Sequence, residues 1–156
     1  MTTPHIIIRD ASPDDIPFLV NANNVVNDKS NLTRADTTLA RRLKSDFFPN
    51  TTQSDARILI AEIDGAPAGM IVFSAVYFMT EGNCIWVTNM FTDPVYQKMG
   101  IGTKLMDAVR EIARDQHCAV IGFMEDENNT PAKNFAHHNG AKEMDNLRYY
   151  YINIDR

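Results

Sequence analysis

One stretch in the second half of the chain has the residue types and spacing of an anion-binding loop. It follows an apolar run at 84–92, precedes a helical pattern, and reads Gln97, Lys98, Met99, Gly100, Ile101, Gly102 and Thr103. At a strand-to-helix junction several backbone N–H groups lack helical partners, and the helix dipole adds partial positive charge. Glycines at positions 100 and 102 let a ligand approach the backbone closely. The stretch therefore predicts a pyrophosphate site.

This stretch does not match the sequence patterns of two other glycine-rich phosphate-binding loops. A dinucleotide fingerprint needs a third glycine where Leu105 stands. A Walker A loop needs a lysine directly after its second glycine, but Thr103 separates Gly102 from Lys104. The plain alternative is that the two glycines only make a tight turn.

The elements around the loop are predicted from hydrophobic periodicity and turn residues. Strands are expected at 5–9, 57–63, 69–79, 84–92, 117–124 and 147–154. Helices are expected to begin near Ser12 and Thr33, to cover 101–115, and to run from Thr130 to Asn139. This order predicts a single α/β domain (α+β mixed) over 1–156. Its central mixed, mostly antiparallel sheet would have about six to seven strands, with helices on both faces.

Composition narrows the functional classes. The net charge of −5 argues against binding to nucleic acid, which needs a basic surface, and is compatible with a cationic substrate. No apolar stretch approaches the ~20 residues of a membrane helix, and no signal peptide is recognised, so a cytoplasmic protein is expected. Cys84 and Cys118 are expected as free, buried thiols, and no ligand spacing predicts a metal site.

Two motifs in this order resemble the GCN5-related N-acetyltransferase (GNAT) family. Residues 97–102 are similar to its pyrophosphate motif, (Q/R)xxGxG/A. A second stretch is similar to its later helix motif and includes Asn129, Pro131, Ala132, Asn134, Phe135, Gly140 and Ala141. Among subgroups, the spermidine/spermine-type small-amine acetyltransferases look nearest.

The resemblance implies an enzyme that uses acetyl-coenzyme A as cosubstrate and transfers the acetyl group directly to a primary amine. It implies that the amides of Phe91 and Thr92 pair with the pantetheine arm and that residues 97–103 hold the pyrophosphate. Asn129 and Asn134 would lie beside the pantetheine and thiol end. The sheet would open between its fourth and fifth strands, and a homodimer is plausible.

At some positions the sequence differs from the spermidine/spermine-type subgroup. Ala136 stands where those enzymes carry a tyrosine acid, and Thr88 and Asn89 stand where they carry an acidic pair. The remaining candidates for proton chemistry are Asn89, Glu125 and Tyr150. Glu125 follows a strand and could attract a cationic amine or act as a base through water. Solvation of an acidic loop and packing of a tyrosine in a sheet are the plain alternatives for the last two.

The leading functional prediction is acetylation of a primary amine on a small molecule. A protein or peptide amine is the alternative acceptor. A catalytically degenerate coenzyme A-binding module is the non-enzymatic alternative, and Ala136 is the residue that favours it.

Overall fold

The chain forms two compact units, described by a computed structural model over residues 4–27, 36–48 and 55–154. The larger unit is Met1–Met124 and the smaller is Glu125–Arg156. The loop at 97–103 belongs to the larger unit, together with every strand of the sheet that the described residues form.

One sheet organises the larger unit. In chain order its strands are β1 (Ile6–Asp10), β2 (Arg57–Ile63), β3 (Ala66–Phe78), β4 (Gly82–Thr92) and β5 (Val120–Phe123). Their order in the sheet is the same, with antiparallel pairing from β1 to β4 and parallel pairing of β5 with β4. The mixed, mostly antiparallel sheet is confirmed, but it has five strands in the described residues, so the prediction of six to seven was wrong.

The missing strand is the one predicted at 147–154. Residues 141–154 form no strand pairing, and the large apolar side chains of 147–154 are exposed, from Leu147 at 66% to Ile152 at 87%. Tyrosines and β-branched residues suit a pleated surface, but they form a strand only against a partner edge. Tyr149 and Tyr151 instead stack on each other, with ring centroids 6.1 Å apart.

The fifth strand is shorter than its sequence pattern at 117–124. His117 takes a positive φ of 55°, and Cys118 donates its N–H back to the carbonyl of Ala113. These two residues therefore terminate the preceding helix and do not belong to the strand. Pairing with β4 begins at Val120. Both cysteines are free; Cys84 is buried, as predicted, whereas Cys118 is only half-buried.

Helices cover both faces of the sheet, as predicted. On one face α1 (Ile16–Asn27) and α2 (Asp36–Phe47) pack on a cluster that includes Leu19, Ala22, Ile58, Ile60, Met70 and Phe91. A short 3₁₀ turn, Pro13–Asp15, leads into α1. The predicted start of the second helix at Thr33 lies outside the described residues.

The other face is covered by α3 (Ile101–Asp115). Its side facing the sheet buries Ile101, Leu105 and Val109. A Cβ at Gly69 would point at Leu105, so α3 covers the face of the sheet to which position 69 points. Successive residues of a strand point to opposite faces, and Met70 packs in the cluster under α1 and α2. The helix α3 therefore lies on the opposite face from α1 and α2.

Gly69 fixes how closely α3 approaches the sheet. A Cβ at this position would lie 2.7 Å from Cγ2 of Ile101 and 3.0 Å from the carbonyl oxygen of Phe91. Only glycine fits here without a shift of its neighbours. The start of α3 and the end of β4 are thereby held together, which positions the loop that joins them.

An ion-pair cluster ties β1 to β2 and to the entrance of α1. Arg9 donates from Nη1 and Nη2 to Asp15, at 2.7 and 2.9 Å, and from Nε to Glu62 at 2.7 Å. The backbone N–H of Ser12 also donates to Asp15, at 2.8 Å. Asp15 is only 2% exposed, and its hydrogen bonds from Arg9 hold the pKa of its carboxyl below the ordinary value.

We expect Arg9→Met to lower the free energy of unfolding near neutral pH by about 2 kcal/mol. The value lies below the ~3–5 kcal/mol for breaking a fully buried pair because the Arg9 side chain is 31% exposed. The pKa of Asp15 is lowered in the folded state, so the pair stabilises the fold above the ordinary pKa of aspartate. In urea titrations, the difference between variant and wild type should therefore shrink as pH falls from the ordinary pKa of aspartate towards the lower pKa of Asp15 in the folded state.

Arg57→Met is the matched control for this prediction. Arg57 pairs with Asp10 at 3.1 Å, but the two side chains are 45% and 71% exposed. Exposed pairs of this kind contribute at most about 1 kcal/mol. Equal losses from the two arginine variants, or a loss in Arg9→Met that does not change with pH, would contradict the role assigned to Asp15.

Candidate functional site

The loop before α3 is anchored to the sheet at its start. Asp93 donates its backbone N–H to the carbonyl of Ala68 at 2.8 Å, next to Gly69 on β3. Its side chain accepts from the N–H of Val95 at 3.0 Å and caps a 3₁₀ turn, Pro94–Tyr96. Because proline fixes φ at the start of this turn, the chain enters the loop with a defined direction.

Two residues of the loop have left-handed backbone conformations. Gly100, the N-cap of α3, has φ 81°, and a Cβ there would contact nothing within 4 Å, so its need for glycine is conformational. Lys98 has φ 65°, which is uncommon for a residue with a side chain. Turns that include left-handed residues form backbone concavities that bind anions.

Six consecutive backbone N–H groups of the loop, those of residues 98–103, donate to no acceptor in the part of the chain that the structure describes. The next amide, of Lys104, donates to the carbonyl of Gly100 at 3.0 Å and begins the helical pattern. Lys98 and Lys104 are exposed and add positive charge on either side. Unpartnered amides at a helix start, flanked by lysines, fit the oxygens of a pyrophosphate.

β4 carries a bulge near its middle. Val72 of β3 pairs with Asn89, whereas the next residue, Phe73, pairs with Val87, so Thr88 is the extra residue. The Thr88 hydroxyl donates to the carbonyl of Val72 at 3.3 Å. A bulge bends its strand and increases the local twist.

The sheet opens between β4 and β5 at the same level. Their pairing covers only four positions and ends at Val87 with Phe123. In the described part of the chain, residues 89–92 of β4 pair with β3 but with no strand on the β5 side. The resemblance to the GNAT family implied an opening between these two strands, and the unpaired side of β4 is suited to an extended ligand with amide groups, such as a pantetheine arm.

The larger unit brings Phe91, Thr92 and the loop together through Gly69. Phe91 is 7% exposed and packs its ring on Phe18, with centroids 5.9 Å apart, so only its backbone is available to a ligand. Thr92 is half-buried and pairs with Gly69. Asn89, predicted for proton chemistry, is exposed next to the bulge.

The other predicted residues belong to the smaller unit. Its helix α4 is Thr130–His138, which confirms the predicted helix. The Asn129 side chain accepts from the N–H of Ala132 at 3.2 Å and caps this helix, while Asn134 is exposed on it. Tyr150 is 83% exposed in the segment that forms no strand.

Glu125 is the candidate whose acidity departs from normal. It stands two residues after the end of β5 and is the first residue of the smaller unit. Although the residue as a whole is exposed, partial burial of its carboxyl raises the pKa of Glu125 above the ordinary value. A raised pKa makes a carboxylate more basic, which suits a general base.

Sequence reasoning missed three features that shape this region. The glycine inside the strand pattern at position 69 was a usable signal for a close backbone approach. The left-handed conformation of Lys98 and the bulge at Thr88 had no comparable signal, because neither residue type is typical of such positions.

The described ranges contain neither a cluster of metal ligands nor a helix that could span a membrane. No three potential ligands from His, Cys, Asp or Glu come together there. No described helix is both long enough and apolar enough to cross a bilayer.

A mixed sheet, five-stranded in the described residues, with a loop of unpartnered amides at a strand-to-helix junction defines the α/β class of this protein. The family model of the Acetyltransferase (GNAT) family matches residues 27–141. The chain therefore belongs to the GNAT family and is an acetyltransferase. The fold of this family uses acetyl-coenzyme A as its cosubstrate, in agreement with the prediction from the sequence motifs.

Solved structures with the same fold come from several acetyltransferases of low sequence identity. A possible acetyltransferase from Clostridium difficile 630 has a TM-score of 0.79 at 19% identity and covers 96% of this chain and 99% of its own. The aminoglycoside N-acetyltransferase AAC(6')-Iy in complex with coenzyme A has a TM-score of 0.77 at 15% identity, with 98% of each chain covered.

A third solved structure is that of an enzyme named for a protein acceptor. The ribosomal-protein-alanine N-acetyltransferase from Brucella melitensis has a TM-score of 0.76 at 16% identity and covers 96% of this chain and 100% of its own. No curated protein matches the chain by sequence. At these identities the likeness establishes the fold and leaves the acceptor open.

Proposed function

We propose that this protein is an N-acetyltransferase that transfers the acetyl group of acetyl-coenzyme A directly to a primary amine of a small molecule. The two units would act together as one domain over 1–156. The observation that carries the proposal is the run of six unpartnered amides at 98–103, which would hold the pyrophosphate of the cosubstrate. Phe91 and Thr92 would offer backbone groups to the pantetheine arm, and Asn129 and Asn134 would contact its thiol end.

The transfer needs a neutral amine. In the proposed step the amine nitrogen attacks the thioester carbonyl, so that a C–N bond forms and the C–S bond breaks. The proton released by the amine passes to the carboxylate of Glu125, directly or through water, and the thiolate of coenzyme A leaves. A thiol has an ordinary pKa of about 8.5, so the thiolate is a stable leaving group that needs an acid only weakly. A chain with Ala136 in place of a tyrosine acid can therefore still react.

The charge of the protein supports a cationic acceptor. The net charge is −5, and a negative surface attracts protonated amines. Of the comparison proteins, some act on aminoglycosides and one on a ribosomal protein, which represent the two acceptor classes predicted from the sequence. We favour the small molecule for this chain and retain the peptide as the alternative.

The proposal is tested by measuring thiol release from acetyl-coenzyme A with a panel of small amines and of peptides that have a free amine. We expect release that depends on small amines and that saturates with acetyl-coenzyme A. Release only with peptides would favour the alternative acceptor. Tight binding of the cosubstrate without turnover of any amine would identify a degenerate binding module and contradict the proposal.

We further propose a cytoplasmic homodimer. The free thiols of Cys84 and Cys118 suit a reducing compartment. An exposed apolar side chain of the larger unit such as Met79, at 92%, suits a surface that a second copy covers. Light scattering that gives the mass of one chain at micromolar concentration would contradict the dimer.

A further inference from the structure

The single tryptophan of the chain stands at the closed end of the opening in the sheet. Trp86 of β4 pairs with Gly122 of β5, and the next pair, Val87 with Phe123, is the last before the two strands separate. The six-membered ring of the indole lies against Gly122, because a Cβ there would come within 2.6 Å of Cζ3 and 2.7 Å of Cε3. The indole therefore reaches from β4 over β5 directly beside the opening.

The bulge in β4 places Trp86 and Asn89 on the same face of the sheet. Trp86 pairs with Ser74, and Asn89 pairs with Val72. Ser74 and Val72 are two positions apart on β3 and point to one face, and directly paired residues share that face. Val72 packs against the core cluster under α1 and α2. The indole therefore lies on the face that these two helices cover further along β3.

The sheet around the indole is apolar on this face. Phe78 of β3 contacts Trp86, with ring centroids 6.4 Å apart and planes inclined by 64°. Phe78 is 44% exposed, Val120 of β5 is 46% exposed, and Trp86 is half-buried. We call these three residues the tryptophan patch. By the same alternation and pairing, the described strand residues that share this face here are uncharged: Ser74, Val76, Phe78, Cys84, Trp86, Val120 and Gly122.

The proposed position of the cosubstrate brings its thioester to the tryptophan patch. The loop that would hold the pyrophosphate follows Thr92, so the pantetheine arm would run from there back along the unpaired side of β4 towards the bulge. Thr92 and Thr88 are four residues apart, which is about 13 Å along a strand. The thiol lies at the end of the arm away from the pyrophosphate. It would therefore arrive at the closed end of the opening, beside Trp86.

The opposite face of the sheet is filled at this point. Ile85 and Val87 alternate with Trp86 and so point to that face, where they are 0% and 6% exposed. The helix α3 covers this face and contacts both β4 and β5. Among the described residues, the surface next to the thioester that an acceptor could contact is therefore the tryptophan patch.

We propose that Trp86 determines acceptor specificity by binding an apolar, flat group attached to the reacting amine. The indole offers such a group a large, rigid apolar surface and a partner for ring stacking. A hydroxylated or multiply charged group would lose water there without gaining a hydrogen bond or an ion pair from the tryptophan patch. The inference rests on the proposed transfer to a small amine and adds the chemical character of the part that does not react.

A kinetic comparison of 2-phenylethylamine with ethylamine measures what the ring contributes. Wild type should have the higher kcat/KM for 2-phenylethylamine. Trp86→Ala should lower the ratio of the two kcat/KM values roughly tenfold, the effect of losing about 60 Å² of apolar contact. Gly122→Ala should also lower the ratio, since its methyl group would displace the indole. Both variants should bind coenzyme A with the affinity of wild type, which shows that the fold and the loop are intact.

Tyr77→Ala is the matched control. Tyr77 is an aromatic residue of β3, is 67% exposed, and pairs with Asn83. It is next to Phe78 in the strand and therefore points to the face opposite the tryptophan patch. The ratio of the two kcat/KM values should be unchanged in this variant.

Fluorescence gives a second readout that does not depend on turnover. Because Trp86 is the only tryptophan, the indole emission of the protein reports on the surroundings of this residue alone. Titration of 2-phenylethylamine onto the complex with coenzyme A, which carries no acetyl group, should change this emission saturably. Ethylamine should leave it unchanged, and Gly122→Ala should weaken the affinity for 2-phenylethylamine.

The outcomes separate the role of Trp86 from the proposed function. Equal kcat/KM for the two amines in wild type, or an unchanged ratio in both Trp86→Ala and Gly122→Ala, overturns the role of Trp86 but leaves the transfer intact. An equal loss in Tyr77→Ala has the same meaning. If 2-phenylethylamine changes the emission but no amine releases thiol, the binding surface stands and the proposed function is overturned.

Discussion

Glu125→Gln should lower kcat/KM for the amine roughly a hundredfold, at the lower end of the effect of a general base. Glutamine has nearly the same shape as glutamate but cannot accept the proton of the attacking amine. The pKa of Glu125 is raised by partial burial. The carboxylate form is therefore lost on acidification at a higher pH than for an ordinary glutamate, and wild-type kcat/KM should fall with decreasing pH in that range.

The pH profile separates this role from a structural one. In Glu125→Gln, kcat/KM should no longer fall over the acidic pH range in which Glu125 is protonated in wild type. The affinity for coenzyme A and the midpoint of thermal unfolding should stay as in wild type. Glu127→Gln provides the control, because it removes a carboxylate two residues further along the same segment. If Glu127→Gln had the larger effect, or if this fall in kcat/KM persisted in Glu125→Gln, another group would be the base.

Gly102→Trp should raise the Kd of coenzyme A by at least about a hundredfold, because the indole occupies the space that the pyrophosphate needs. Loss of two amide–phosphate hydrogen bonds suffices for this effect, at ~1.5–3 kcal/mol for each bond to a charged group. Gly102 is the second residue of α3 and has no positive φ. The substitution should therefore leave the helix intact. Calorimetric titration with coenzyme A measures the change directly.

A tryptophan elsewhere on α3 controls for bulk alone. Glu111 is exposed on the same helix, and both side chains of its ion pair with Arg114 are exposed. The variant Glu111→Trp should therefore bind coenzyme A with the affinity of wild type. Wild-type affinity in Gly102→Trp, with its circular dichroism unchanged, would place the diphosphate somewhere other than the loop. The proposed function would lose its main support in that case.

Features that depend on neighbouring residues in the chain were predictable. The start of α4 was predicted from Thr130 and Pro131, although the residue that caps the helix is Asn129, one position earlier. The turn between β2 and β3 follows from Asp64 and Gly65, which both take the positive φ that such a hairpin requires. The loop at 97–103 follows from glycine spacing at a strand-to-helix junction, and so its place in the fold was predicted as well.

Features that depend on distant partners were not predictable from the sequence pattern. Residues 147–154 have the composition of a strand, yet strand formation needs pairing with an edge, and these residues pair with no strand in the described part of the chain. The bulge at Thr88 is a difference in register between β3 and β4, which no residue of β4 encodes alone. A cavity lined by Ala11, Phe47 and Asp55, among others, combines the end of α2 with the ends of two strands that are far away in sequence.

The sequence by itself therefore determined the family, the helices and the loop that would hold the cosubstrate, since periodicity, caps and glycine spacing act over a few residues. Only the tertiary structure decided the number of strands, the opening of β4 and the surroundings of Asp55. These depend on which backbone edges and side chains meet across the sheet. Such pairings are selected by burial and packing of the whole unit rather than by local preference.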